Sequence, residues 1–249
     1  MCGRIALYTP PDRLARQLDA ALAPDLGDAS EPRWNVPPTQ TVLALVHPNP
    51  ERAAGADPPI KLSESGRLLT TFRWGLIPWW AKDLSIGNKF FNARAETIET
   101  KSPFKSPLEK KRCLVIADGF YEWRKDTEGE GRKKTPFYIT RSDGEPFAFA
   151  GLWESWRDPS PPRESAQRIL SCTIITTTAD EDIEKIHDRM PVVVERDNFD
   201  EWLLPGTLDH AELATLLQPA PKGTLALREV SNQVNSVKND GPELVEPAR

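Results

Sequence analysis

The sequence predicts a mixed α+β domain dominated by antiparallel sheet, and three observations support that expectation. Many short apolar or alternating runs read as strands, and only a few scattered segments have helical periodicity. Strand and helix do not alternate regularly, and no glycine-rich phosphate loop occurs, which argues against a doubly wound sheet. The run Cys113-Leu114-Val115-Ile116-Ala117 is almost wholly apolar, as burial on both faces requires.

Taken in order, residues 5–8 read as a first strand. Pro10-Pro11-Asp12 starts a helix whose Leu14, Leu18, Ala21 and Leu22 share one face. A turn-rich connection at 24–33 leads into Asn35-Val36-Pro37-Pro38-Thr39, extended because a residue before proline avoids the helical region. Strands are expected at Thr41–Val46 and Leu68–Trp74, on either side of a surface loop at 47–66 rich in proline, glycine and charge. Asn92–Thr100 reads as a helix and Arg112–Trp123 as one long strand. Residues 125–135 read as a mobile hairpin tip. Phe137–Thr140, Phe147–Trp153 and Ile169–Thr178 continue the sheet, with a Pro/Arg-rich loop at 157–168. A helix at Ala179–Ile186 precedes His187, and Pro191–Val194 is a short strand. Helices follow near Phe199–Leu203 and His210–Leu217, then a strand at Leu225–Val230. The polar tail from Ser231 is expected to fray. One domain over 1–230 with a tail at 231–249 is the organisation these elements imply, with no internal repeat.

With 249 residues, 39% of them hydrophobic and 28% charged, the chain has the composition of a soluble globular protein. No stretch approaches the ~18–20 apolar residues of a membrane span, and no secretory signal pattern precedes the first strand. Cys2, Cys113 and Cys172 match neither a disulfide framework nor a C-x-x-C metal pattern. A reducing, cytoplasmic setting with no metal and no cofactor is expected. The net charge is −5, yet Arg73 to Lys134 holds 14 Lys/Arg against 9 Asp/Glu. This fits a local anion-binding surface, or simply an unevenly charged solvated face.

Cysteine directly after Met1 is the sharpest chemical signal. Once Met1 is removed, Cys2 carries an α-amine and a thiol on adjacent carbons, with reference pKa values of about 7.7–8.0 and about 8.5. The amine can form an imine with an aldehyde, and the thiol can then close a thiazolidine ring; the thiol can also act alone as an N-terminal nucleophile. Four further constellations stand out. In Phe91-Asn92-Ala93-Arg94, Asn92 can hydrogen-bond a substrate and Arg94 can grip phosphate, although Asn92 also suits a helix N-cap. In Asp118-Gly119-Phe120-Tyr121-Glu122-Trp123, a carboxylate among aromatics suits general acid–base work, unless Glu122 lies on the polar side of an edge strand. In His187-Asp188-Arg189, the histidine is a candidate proton shuttle, or a structural group. Trp79 and Trp80, after Pro78, offer either core or a stacking platform for unstacked bases, with Lys82, Lys89 and Arg94 as phosphate contacts.

Six stretches together resemble the SOS-response-associated peptidase (SRAP) family of abasic-site processing proteins. They are Met-Cys-Gly-Arg at 1–4, Trp-Asn-Val-Pro-Pro-Thr at 34–39, Trp-Gly-Leu-Ile-Pro-Trp-Trp at 74–80 and Phe-Asn-Ala-Arg-Ala-Glu-Thr at 91–97. The last two are Arg-Cys-Leu-Val-Ile-Ala-Asp-Gly-Phe-Tyr-Glu-Trp at 112–123 and Ile-His-Asp-Arg-Met-Pro at 186–191. The resemblance implies a β-rich, barrel-like core of mainly antiparallel strands with peripheral helices and a basic groove. It implies that Cys2 captures an abasic site in single-stranded DNA as a thiazolidine, that leading-methionine removal is autocatalytic, and that lyase activity can accompany capture. Its catalytic residues fall on Cys2, Asn92, Glu122 and His187. DNA contacts fall on Arg4, Arg94, Arg189 and Thr176, and wedge tryptophans on Trp79 and Trp80. A monomer acting on abasic single-stranded DNA is therefore expected. Two other readings share the same residues: an N-terminal-nucleophile glutamine amidohydrolase, and a non-covalent reader of damaged DNA with Cys2 merely structural.

Overall fold

Strand β7 (Arg112–Ala117) is buried along its whole length, and two cores form on its two faces. Leu114 and Ile116 enter one core, while Cys113, Val115 and Ala117 enter the other. This is the period-two alternation of a strand covered on both sides. The computed structural model describes residues 2–49, 51, 53, 59–125, 134–160, 162, 165, 166, 168–206 and 208–248. The mobile tip expected at 125–135 lies almost wholly outside them, as do parts of the loops at 47–66 and 157–168.

Five strands close into a barrel. β4 (Thr41–Val46), β5 (Arg67–Trp74), β7, β10 (Phe147–Arg157) and β11 (Arg168–Thr178) run in the order β11-β10-β7-β4-β5, each pair antiparallel. A parallel pairing of Ser171 with Arg73 and Cys172 with Trp74 joins β5 back to β11. Phe72, Trp74, Val115, Phe149 and Ile174 belong to the core on the Cys113 side. On the other face, α1 (Pro11–Gln17), α2 (Ser102–Lys110), α3 (Phe199–Leu203) and α4 (His210–Leu216) contribute Leu14, Phe104, Phe199, Trp202 and Leu213 to the layer over Leu114 and Ile116. Each such side chain, fully buried, contributes about 1.5–3 kcal/mol.

A second sheet has the order β13 (Leu225–Glu229), β9 (Lys134–Arg141), β8 (Gly119–Lys125), β1 (Ile5–Leu7), β3 (Arg33–Val36). Its Ile5, Phe120 and Ile139 pack into the core cluster that includes Val115 and Phe149. The α+β class, the predominance of antiparallel pairing, the barrel-like core and the peripheral helices are therefore those the sequence implied.

Several local expectations give way. The first helix stops at Gln17, and Asp19 adopts φ 47°, a left-handed conformation that ends helices. Ala21 and Leu22 then enter strand β2 (Ala20–Leu22), parallel to β5. Arg112–Trp123 is two strands in two sheets, turned at Asp118. The Asp118 carboxylate accepts from Tyr8 N and Thr9 N at 2.6 and 2.7 Å and from the Thr9 hydroxyl at 2.6 Å, so its role here is to hold a corner. Asn92–Thr100 is not helical: β6 (Asn92–Arg94) pairs in parallel with β11, and a 3₁₀ turn covers Ala95–Thr97. Asn92 is therefore no helix cap. Residues 181–186 form successive turns rather than a helix, with the Asp180 side chain accepting from Asp182 N and Ile183 N. The short strand begins earlier than expected, as β12 (Arg189–Pro191).

The tail does not fray. 3₁₀ turns at Asn232–Asn235 and Pro242–Val245 bury Val234 and Leu244 against Ala6, Tyr121 and Tyr138.

Candidate active site

Cys2 lies just ahead of β1 and is completely buried, in the same core cluster as Ile5, Phe120 and Ile174. Burial first, and the Glu122 carboxylate second, push its thiol well above the ordinary thiol range. The sulfur is therefore held protonated near neutrality. The Cys2 carbonyl accepts a hydrogen bond from Asn92 Nδ2 at 2.7 Å. The other end of that amide, Oδ1, is enclosed and has no hydrogen-bond partner among the described residues.

Asn92 is held from behind. The Phe91 carbonyl accepts from the Trp74 indole at 2.8 Å and from Ile174 N at 3.1 Å, and Asn92 is in register with Ile174. Glu122, on β8, lies near enough for its charge to act on the Cys2 thiol. The Ile5–Phe120 pairing and a bond from Tyr121 N to the Arg4 carbonyl, 2.9 Å, lay the N-terminal strand along β8. Glu122 is buried, which removes the solvated edge-strand alternative.

His187 sits in the 179–188 loop leading from β11 to β12, which Ala179 N closes on the Asp188 carbonyl at 3.1 Å. Its Nδ1 is 3.0 Å from Arg189 N and 2.8 Å from Asp188 Oδ1. These contacts exclude each other, since the first needs a lone pair on Nδ1 and the second a proton. The Asp188 side chain is 87% exposed, so that ion pair is screened. Where the main-chain bond forms, Arg189 N donates to Nδ1 and a single ring proton sits on Nε2.

Arg189 and Thr176, expected at a DNA surface, are both buried. Arg189 forks onto Glu96 at 2.5 and 3.0 Å and donates to the Thr176 carbonyl at 2.5 Å. The pairing holds the Glu96 carboxyl below its ordinary range. The Thr176 hydroxyl lies 3.3 Å from the same guanidinium and 3.4 Å from the Ala93 carbonyl. In this structure both residues brace β6 against β11 and β12 from inside.

The outward-facing groups are Arg94, Lys82 and Lys89, together with Trp79 and Trp80, which are 67% and 45% exposed. The tryptophan turn rests on a small core of Ile77, Ala81 and Trp156, and the Trp156 indole donates to the Ala81 carbonyl at 2.9 Å. Gly75, at φ 124°, lies so close to Gly87 that a Cβ would fall 2.6 Å from the Gly87 oxygen. The exposed rings thus stand on a fixed base, as a stacking platform requires.

Arg4 is half-buried, donating to Asn35 Oδ1 at 2.6 Å and to the Val234 carbonyl at 2.8 Å, with its guanidinium over the Trp123 ring. Asn35, Glu96 and Trp123 were not singled out from the sequence as parts of a site. Asn35 does fall within the Trp-Asn-Val-Pro-Pro-Thr stretch, but that stretch reads locally only as extended chain before proline. Among the described residues no group of three or more His, Cys, Asp or Glu is placed to hold a metal ion. Nor, among the described residues, is any helix long and apolar enough to cross a membrane.

Comparison with known proteins gives one consistent result. The family model for SOS response associated peptidase (SRAP) matches residues 1–237. The chain is 39% identical over 246 residues to the abasic site processing protein YoqW of Bacillus subtilis, covering 99% of each. It is 31% identical over 277 residues to the abasic site processing protein HMCES of Gallus gallus, covering 99% of this chain and 78% of that one. An X-ray structure of a Bacteroides thetaiotaomicron protein superposes with a TM-score of 0.78 at 25% identity over the full length of both chains.

Proposed function

The chain belongs to the SOS response associated peptidase family, and from that premise we propose that it processes abasic sites in single-stranded DNA. It does so by forming a covalent thiazolidine link through Cys2 after removal of Met1. The observation that most supports this reading is the contact of Asn92 with the Cys2 main chain, beside a buried Glu122.

The chemistry balances without an oxidant or a cofactor. The Cys2 amine adds to C1′ of the ring-opened sugar aldehyde, and loss of water gives an imine. The thiol then adds its sulfur to the imine carbon and its proton to the nitrogen, closing the ring. In this order the amine acts first and the sulfur second. Glu122 takes and returns the protons of these steps. The enclosed Asn92 Oδ1 accepts a hydrogen bond from the amine and orients it. His187 Nε2–H donates to O4′ as the sugar ring opens. Arg94 holds phosphate, and Trp79 and Trp80 cap the base stack, which restricts access to strands already single. Met1 removal, by self-cleavage at Cys2, is a precondition. Strand cleavage by β-elimination from the imine is the side reaction that ring closure suppresses.

The test is a denaturing gel of mature protein mixed with an oligonucleotide carrying one abasic site. A stable shifted band is expected, lost in Cys2→Ala and absent with intact DNA. Glutaminase activity with no band at any pH from about 6 to 8, where amine and thiol reactivity rises, would overturn the proposal in favour of the amidohydrolase.

A further inference from the structure

The C-terminal segment closes on the N-terminus at one residue. Asn35 Nδ2 lies 3.3, 3.0 and 2.7 Å from the carbonyls of Val234, Ser236 and Asn239, and Asn35 Oδ1 accepts from Arg4. Arg4 donates to the Val234 carbonyl as well. Two further ties hold the segment: the Trp123 indole donates to Asn235 Oδ1 at 2.7 Å, and Trp34 N donates to Asp240 Oδ1 at 2.6 Å. Asn35 itself is buried. A primary amide that meets carbonyls at one end and a guanidinium at the other has satisfied both its donors and its acceptor.

We infer that Asn35 is a positioning residue for the Cys2 nucleophile, acting through Arg4 and the segment 234–239. This rests on Cys2 being the nucleophile. Arg4 is two residues from Cys2, and its carbonyl is bonded to Tyr121 N, next to Glu122. Fixing the Arg4 side chain therefore fixes the backbone that separates the nucleophile from the buried carboxylate. Without Asn35, Arg4 keeps a single carbonyl partner and the segment loses its central donor. The Cys2 amine and thiol then sample geometries in which attack on the sugar is misaligned, and misplacement of this kind slows the chemical step more than it weakens binding. Asn35 touches no substrate in this account.

The experiment uses full-length mature protein with Asn35→Ala and, separately, Asn235→Ala, which weakens the segment from its other side. Single-turnover capture of an abasic oligonucleotide gives the maximal rate and the half-saturating DNA concentration. Asn35→Ala should lower the maximal rate at least about tenfold, with half-saturation moved less than about twofold. Asn235→Ala should show the same pattern more weakly. Hydrogen exchange at residues 3–6, measured without DNA, should speed up in both variants while β7 and β10 remain protected. An unchanged rate in a folded Asn35→Ala protein would overturn the inference. So would a shift in half-saturation alone, which would make Arg4 a DNA contact only. If wild type forms no crosslink, the proposed function fails instead. Unchanged exchange at residues 3–6 would then still refute the clasp.

Discussion

The side-chain amide of Asn92 donates to the main-chain carbonyl of Cys2 across 2.7 Å, joining a strand that pairs with β11 to the chain's first described residue. Asn92→Ala removes that tether together with the enclosed Oδ1. Asn92→Asp keeps an acceptor but places a carboxylate against the carbonyl. Both should slow covalent capture by about ten- to a hundredfold, the scale for losing one orienting group at a reacting centre. Binding of an intact single strand, measured by fluorescence anisotropy, should be unchanged. A capture rate within twofold of wild type would remove Asn92 from the site.

Trp79 and Trp80 should contribute to binding without contributing to stability. Each stacked base is worth about 1–3 kcal/mol, so either tryptophan changed to alanine should weaken single-strand affinity roughly five- to a hundredfold. Both rings are exposed, so the unfolding midpoint in urea should stay where it is. A fall in stability with no loss of affinity would return them to a structural role.

Alkaline pH should unfold the protein before moderate acid does. Burial pushes up the thiols of Cys2, Cys113 and Cys172 and the phenols of Tyr121 and Tyr138. A folded-state value above the unfolded one favours the neutral form in the fold. That stabilisation is complete below the ordinary values of 9.0 for thiols and 10.0 for phenols, and it is lost as pH rises past them towards the folded values. Glu96 has the opposite sign. Held low by Arg189, it stabilises above its ordinary value of 4.5, and that support fades as pH falls below it. Urea midpoints should therefore decline above about pH 9. Equal midpoints at pH 8 and 10.5 would contradict the assignment.

Arg189→Lys should not be conservative. Lysine cannot form the two-pronged contact to Glu96 while also reaching the Thr176 carbonyl. The cost should be about 1–3 kcal/mol in chemical denaturation, the scale for unmade hydrogen bonds to a charged group. Capture should slow in parallel, because β12 carries the loop of His187. Full stability with lost DNA affinity would mean that the guanidinium leaves Glu96 for phosphate.

Gly119 is a packing requirement. A Cβ there would lie 2.4 Å from the Tyr138 ring, at the corner between β7 and β8. Gly119→Ala should cost about 1–3 kcal/mol by overpacking, seen as a lower melting temperature. A neutral result would show that Tyr138 can move aside.

The sequence made the barrel strands legible where burial is two-sided. The alternation at Val42-Leu43-Ala44-Leu45 and at Cys113-Leu114-Val115-Ile116 survives unchanged into two cores. Elements whose conformation depends on a distant partner were not legible. Asn92–Arg94 extends because β11 offers it a parallel edge, and nothing local states that. α2 was missed because Pro103 and Pro107 lie within it, and proline argues against helix. Cys2, Asn92 and Glu122 were each visible as residue types; the structure joins Asn92 to Cys2 by a hydrogen bond and sets the buried Glu122 charge near enough to act on the Cys2 thiol. Arg189 and Thr176 were visible too, but their burial was not, because an arginine reads as exposed until its carboxylate partner is known. The tail reads as polar, and it is ordered because its main-chain carbonyls, which a composition does not display, are the groups that Asn35 and Arg4 bind.

The tie between Arg4 and Val234 spans 230 positions of chain. During synthesis the reactive end leaves the ribosome first, while the residues that seat it are made last. Early in synthesis Cys2 emerges behind Met1, with neither Asn92 nor Glu122 yet made. If Asn35 positions Cys2 as inferred above, that seating is completed only when residues 234–239 dock.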